Sequence, residues 1–173
     1  MPKPLITVVQ NSAPLLAPEL ALDARGVARR FGARWVLRGI NLQVRAGEIV
    51  GLLGHNGCGK STLLRIVATL LKSSAGEAYV YGANVKTQGD DVRTHVGFFA
   101  HVPGLYDDLS ARENLAFAAT MLGLPSADID AAIARVGLTH VSNERVRGFS
   151  TGMQRRLSLA RLILQRPRLL LLD

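Results

Sequence analysis

The chain has 173 residues, 48% of them hydrophobic and 20% charged, which suits one domain with a proper core and excludes a disordered polymer. No apolar run approaches the roughly 18–20 residues that span a bilayer, and "LITVV" near the start is broken by Gln10 too early for a secretory signal. The net charge of +8 is concentrated late, with seven arginines from Arg145 onward against one acid, Asp173, so no nucleic-acid partner is expected.

The single cysteine, Cys58, leaves no internal disulfide framework and points to a cytoplasmic chain. Residues 1–21 hold four prolines and little periodicity, and read as a loosely structured extension. From Leu22 the text turns strand-like through "ALDARGVARRFG" and "WVLRGINLQV", with Gly47 marking a turn. "EIVGLL" is a short apolar run bounded by glycines, consistent with a buried strand. After it, "KSTLLRIVATLL" sets Leu63, Leu64, Ile66, Val67, Leu70 and Leu71 at helical spacing. "EAYVYG" and "HVGFFA" are two further strands.

The middle of the chain is helical in pattern. "SARENLAFAATMLG" opens on the capping-box pair Ser110 and Glu113 and closes at Gly123, followed by Pro125. "SADIDAAIARVG" predicts a second helix capped by Ser126 and ended by Gly137. "STGMQRRLSLARLILQ" predicts a third, stopped by Pro167, before the apolar run Leu169–Leu172. Strands, a helical block and a final strand predict an α/β nucleotide-binding core carrying a helical insertion.

The strongest chemical signal is "GHNGCGKST", which matches G-x-x-x-x-G-K-[ST] between a strand and a helix. Gly54, Gly57 and Gly59 let the backbone turn its N–H groups toward a phosphate, with Asn56 and Cys58 as the intervening loop residues. Lys60 would reach the β- and γ-phosphates of ATP, Ser61 would offer its hydroxyl to Mg²⁺, and Thr62 continues the helix whose N-terminus favours the anion. Such a loop needs a second acid at the end of a buried strand to hold Mg²⁺ and its waters; "LLLLD" supplies one in Asp173. His55 and His140 lack ligand-spaced companions and read as surface residues, and Asp107–Asp108 reads as a solvated turn.

At "FSTGMQRRLSLARLILQRPRLLLLD" the chain resembles the signature motif, helix and second acid of ABC-transporter ATP-binding subunits, whose usual signature is LSGGQ. Ser150 and Gly152 match its serine and second glycine, while Phe149, Thr151 and Met153 depart from it. The resemblance extends over about Leu22 to Asp173. It implies a P-loop NTPase core with a mostly parallel sheet, antiparallel N-terminal strands and a helical subdomain over 104–165. It also implies that Ser150 and Gly152 contact the γ-phosphate held by a second ATP-binding subunit across a two-fold dimer. Phe31 stands where the family stacks an aromatic on adenine; a half-buried core aromatic is the alternative. His101 stands where most relatives carry a glutamine that touches Mg²⁺ and the attacking water.

"VGFFAHVPGLYDDLSARENLAF", together with "FSTGMQRRLSLAR", resembles haem-exporter ATP-binding subunits of cytochrome c maturation, and multidrug-type exporter subunits share parts of this text. This implies a membrane permease as partner, with the chain peripheral on the inner face of the cell membrane. The family's general-base glutamate, placed directly after the strand-end aspartate, does not follow Asp173. A partial ATP-binding domain over 22–173, with the family's C-terminal part missing, is therefore expected, as a truncated gene product or a fragment of a longer protein. Two readings follow: an ATP-hydrolysing exporter subunit seen incompletely, or a nucleotide-binding fragment that does not hydrolyse.

Overall fold

The computed structural model describes residues 7–11, 19–100, 102 and 104–173. The chain divides into two compact units, residues 1–96 together with Asp173, and residues 97–172.

In the first unit, β1 (Thr7–Asn11) pairs antiparallel with β4 (Ile49–Leu53), Thr7 opposite Leu53 and Asn11 opposite Ile49. Residues 7–11 of the segment read as a loose extension are thus a strand and Leu20 and Ala21 open the next one, while residues 1–6 and 12–18 lie outside the described residues. Thr7, Val8 and Val9 are β-branched and favour extended backbone, but so short a run between prolines becomes an element only with a partner. The strands β2 (Leu20–Phe31) and β3 (Arg34–Arg45) form an antiparallel hairpin. On the other side of β2 lie β5 (Ala75–Val80) and the short β6 (Ala83–Asn84), giving the order β3-β2-β5-β6. All registers in these two sheets are antiparallel.

Helix α1 (Lys60–Val67) packs on β3 and β5 and buries Leu63, Ile66 and Val67. It is shorter than its apolar spacing predicts. The turn closes at Thr69, which adopts a left-handed φ of 62°, and the N–H groups of Leu70 and Leu71 both donate to the Arg65 carbonyl. Leu70 consequently points to solvent, 63% exposed. Helix α2 (Gly89–His95) has no sequence forecast, because Val92 is its one buried apolar residue and no periodicity announces it. Its charge pattern is helical all the same, with Asp90 and Asp91 in the first turn and Arg93 and His95 in the last.

Strand β7 (Val96–Phe99) leads into the second unit and pairs with β8 (Leu169–Leu172) in a two-stranded sheet. Between them lie α3 (Ala111–Leu122), α4 (Ile129–Arg135) and α5 (Thr151–Gln165). α3 begins and ends where the sequence predicts. Ser110 accepts from Glu113 N–H, Glu113 accepts from Ser110 N–H, and Gly123 closes the helix in the left-handed region. α4 starts at Ile129 instead of behind Ser126, which lies in a 3-10 turn over Ser126–Asp128 and makes no side-chain cap bond. Asp128, the residue before α4, does not cap it either; its carboxylate accepts from Arg166 at 3.2 Å. Ala111, Leu115 and Ala119 on α3 meet Ile129 and Ile133 on α4 and Leu157, Ala160 and Leu164 on α5, so three helical stripes close one core.

Candidate nucleotide-binding site

Residues 54–59 connect β4 to α1 and carry the phosphate-loop sequence. Gly54, His55, Asn56 and Gly57 are exposed, whereas Cys58 and Gly59 turn inward and are buried. Gly57 has a φ of +79° with open space where a side chain would stand. Gly59, at a φ of +107°, is the residue before α1, and a Cβ on it would lie 2.6 Å from Leu37 Cδ2 and 3.2 Å from the Val36 carbonyl oxygen. Glycine is thus required at both positions for backbone, and at Gly59 for packing as well. The loop rests on β3, and its Cys58 N–H closes back onto the His55 carbonyl at 3.3 Å. Cys58 is 2% exposed, which fits a small side chain under a turn.

Lys60 opens α1 and sends its ammonium back across the loop. Nζ donates to the carbonyls of Gly54 at 2.8 Å and His55 at 3.1 Å, with Cys58 Sγ at 3.7 Å. These are neutral acceptors that phosphate oxygens can replace with stronger, charge-assisted bonds. Ser61 Oγ donates to Asp173 Oδ1 at 2.5 Å, joining positions 112 residues apart in sequence. Asp173 groups with the first unit, so this pair belongs to the same body as the loop. A hydroxyl and a carboxylate are hard oxygen donors of the kind Mg²⁺ takes beside substrate phosphates. Among the described residues no cluster of three His, Cys, Asp or Glu forms an all-protein metal cage. The Ser61 hydroxyl and the Asp173 carboxylate are of the kind that fits a magnesium ion beside phosphates. Thr62 is half-buried on α1 behind this pair.

Phe31 ends β2 and is 46% exposed, its remaining surface covered by the protein. The Arg29 guanidinium lies over its ring, 4.5 Å from the centroid. The hairpin that carries Phe31 is the one whose β3 strand lies beneath Gly59. His101 lies outside the described residues.

In the second unit, Ser150 caps α5, its Oγ accepting from Met153 N–H at 3.3 Å. Ser150 and Gly152 are exposed, while Phe149 and Val146 anchor the preceding turn in the core. The helix thus opens onto solvent with a hydroxyl and a bare backbone.

One residue that the sequence reading passed over organises the segment ahead of α3. Asn114 is buried, accepts from Tyr106 N–H at 2.8 Å, and donates to the carbonyls of Tyr106 at 3.0 Å and Ser110 at 2.9 Å. The same segment is pinned from the other side, where Val146 N–H donates to the Leu109 carbonyl and Arg147 N–H to the Asp107 carbonyl, each at 3.0 Å. The available signal was a polar residue on the apolar stripe of a predicted helix, one position after the capping glutamate.

The ABC transporter family model matches residues 37–173, well over half the chain. The chain belongs to the ABC transporter family. It is 38% identical over 156 residues to the uncharacterized ABC transporter ATP-binding protein YdbJ of Bacillus subtilis (strain 168), covering 90% of this chain and 51% of that protein. It is 39% identical over 157 residues to the cytochrome c biogenesis ATP-binding export protein CcmA 2 of Cupriavidus metallidurans, covering 90% and 74%. A solved ATP binding subunit of an ABC transporter superposes with a TM-score of 0.78 at 23% identity, over 88% of this chain and 65% of that one, and shares its fold. The chain therefore spans about half the length of the first relative and three quarters of the second.

Proposed function

We propose that this chain is the nucleotide-binding part of a transporter ATPase, holding Mg²⁺-ATP on residues 54–62 and coupling it to export through a membrane permease. The observation that carries the reading is the Ser61–Asp173 hydrogen bond of 2.5 Å beside the Lys60 ammonium. Two magnesium-type oxygen donors and a phosphate-type cation converge at the start of one helix, the two donors coming from positions 112 residues apart that nothing local joins. In this reading Lys60 leaves its loop carbonyls for the β- and γ-phosphates. The backbone N–H groups of 57–60 receive the phosphate oxygens, and Ser61 and Asp173 hold Mg²⁺. Bound magnesium neutralises charge on those oxygens. Phe31 stacks on adenine, and Ser150 and Gly152 contact the γ-phosphate of a second ATP-binding subunit at an exposed helix N-terminus. His101 is assigned the role of the glutamine that acts on the attacking water.

The permease contact is assigned to the segment ahead of α3. Tyr106 and Phe117 are exposed and stack edge to face, 4.9 Å between centroids, beside a cleft of about 300 Å³ that Asp107, Asp108 and Leu109 complete. No helix among the described residues is long and apolar enough to cross a membrane. Haem for cytochrome c maturation is the proposed cargo. Overall identity does not choose it, since the two relatives stand at 38% and 39%; the support is the stretch "LYDDLSARENLAF".

Calorimetry with Mg²⁺-ATP tests the core of the proposal. Lys60→Ala should abolish measurable binding, and equal affinity in variant and parent would overturn the assignment. Co-purification with a haem-exporter permease, lost on replacing Tyr106–Leu109, tests the partner and cargo.

A further inference from the structure

We propose that Arg29 is a positioning residue for the nucleotide base: it backs one face of the Phe31 ring so that the other face receives adenine. The inference rests on the nucleotide reading above. Phe31 is the last residue of β2, and nearly half its surface meets solvent. An aromatic half open to solvent at a hairpin end has little packing to hold its ring in one orientation, and an unfixed ring makes a poor stacking platform. Arg29 supplies that restraint from two residues earlier on the same strand, 4.5 Å from the ring centroid.

The guanidinium is itself fixed. Nη1 donates to the Lys72 carbonyl at 2.8 Å, in the segment that follows α1. Nε is buried with no hydrogen-bond partner among the described residues. A buried donor without a partner is unfavourable, since a solvated guanidinium would satisfy it. The arrangement tolerates that loss while keeping the plane against the ring, where the attraction is between the cation and the ring's negative face. A cation on one face also draws electron density from the ring, which favours a purine stacked on the opposite face.

The neighbouring pair supplies a control. Arg30 lies 5.6 Å from the Trp35 ring and is paired in register with it, but neither residue belongs to the Phe31 stack. Calorimetry with ATP and with inorganic tripolyphosphate, both in Mg²⁺, separates the base from the phosphates. Arg29→Ala should weaken ATP about fivefold, the scale of one exposed cation–π contact, and leave tripolyphosphate unchanged. Arg29→Lys should fall between, because lysine keeps the charge and loses the planar stack. Arg30→Ala should keep the parent's ratio of the two affinities. In a Phe31→Ala background, Arg29→Ala should add nothing, since its effect passes through the ring.

An unchanged ratio in Arg29→Ala would overturn the proposal. So would equal loss of both ligands, which would place Arg29 in the fold alone, or an undiminished effect without Phe31. A parent chain that binds neither ligand would overturn the phosphate-site reading itself, and this inference with it.

Discussion

Gly59→Ala is the sharpest test of how the loop is built. The new methyl would stand 2.6 Å from Leu37 Cδ2 and 3.2 Å from both Val36 Cγ1 and the Val36 carbonyl oxygen. Leu37 is 1% exposed and must shift within the core to admit the methyl, so the contact acts as overpacking, about 1–3 kcal/mol. The φ of +107° adds backbone strain of about 1–3 kcal/mol for any residue with a Cβ. The sum, about 2–6 kcal/mol, is a large part of the 5–15 kcal/mol by which domains are typically stable. Gly57→Ala isolates one of the two terms, since its φ of +79° brings strain while nothing lies within 4 Å of the added methyl. Urea unfolding followed by circular dichroism should therefore place Gly59→Ala about 1–3 kcal/mol below Gly57→Ala. Binding should rank the other way once stability is allowed for, because the open side of Gly57 is where a phosphate would approach. Equal unfolding midpoints for the two variants would refute the claim that β3 closes the floor of the loop.

Asp173→Ala should raise the Mg²⁺ concentration needed for ATP binding while leaving affinity in EDTA unchanged, measured by magnesium titration at fixed nucleotide. Asn114→Ala should cost about 1–3 kcal/mol in urea unfolding, because it strands the buried Ser110 carbonyl and frees the part-buried Tyr106 N–H. It should also weaken permease co-purification by loosening Tyr106–Leu109. The Ser110 backbone N–H and hydroxyl hold the Glu113 carboxyl below the usual carboxylate range. Its folded value therefore lies below its unfolded one, so its contribution is complete above the unfolded value and fades as pH falls through the folded one. Glu113→Gln should flatten that acid limb of the stability profile, read from thermal unfolding between about pH 6 and 3.

The helical unit was largely legible because its signals are local. A capping box spans four residues, and a serine that accepts from the third N–H marks the start of α5 without reference to anything distant. Pro167 ends α5 for an equally local reason, as does the left-handed Gly123 at α3. The phosphate loop is of the same kind, since its glycines and lysine act within nine residues of one another. Local signals also misled. The apolar spacing of α1 extends to Leu71, but the turn at Thr69 ends the helix earlier, and Ser126, expected to cap the second helix, lies in a 3-10 turn ahead of α4.

From the sequence alone, then, come the chemistry the loop is built for, the family, and where most helices begin and stop, because periodicity, caps and glycine conformation act over a few residues. Only tertiary structure joins Asp173 to Ser61, sets Gly59 against Leu37, exposes Phe31 under Arg29, and lets residues 7–11 become a strand on β4. Each of those depends on two segments far apart in sequence reaching the same place. Hydrogen bonds and packing between them act only at contact distance, and no single segment carries a record of its partner.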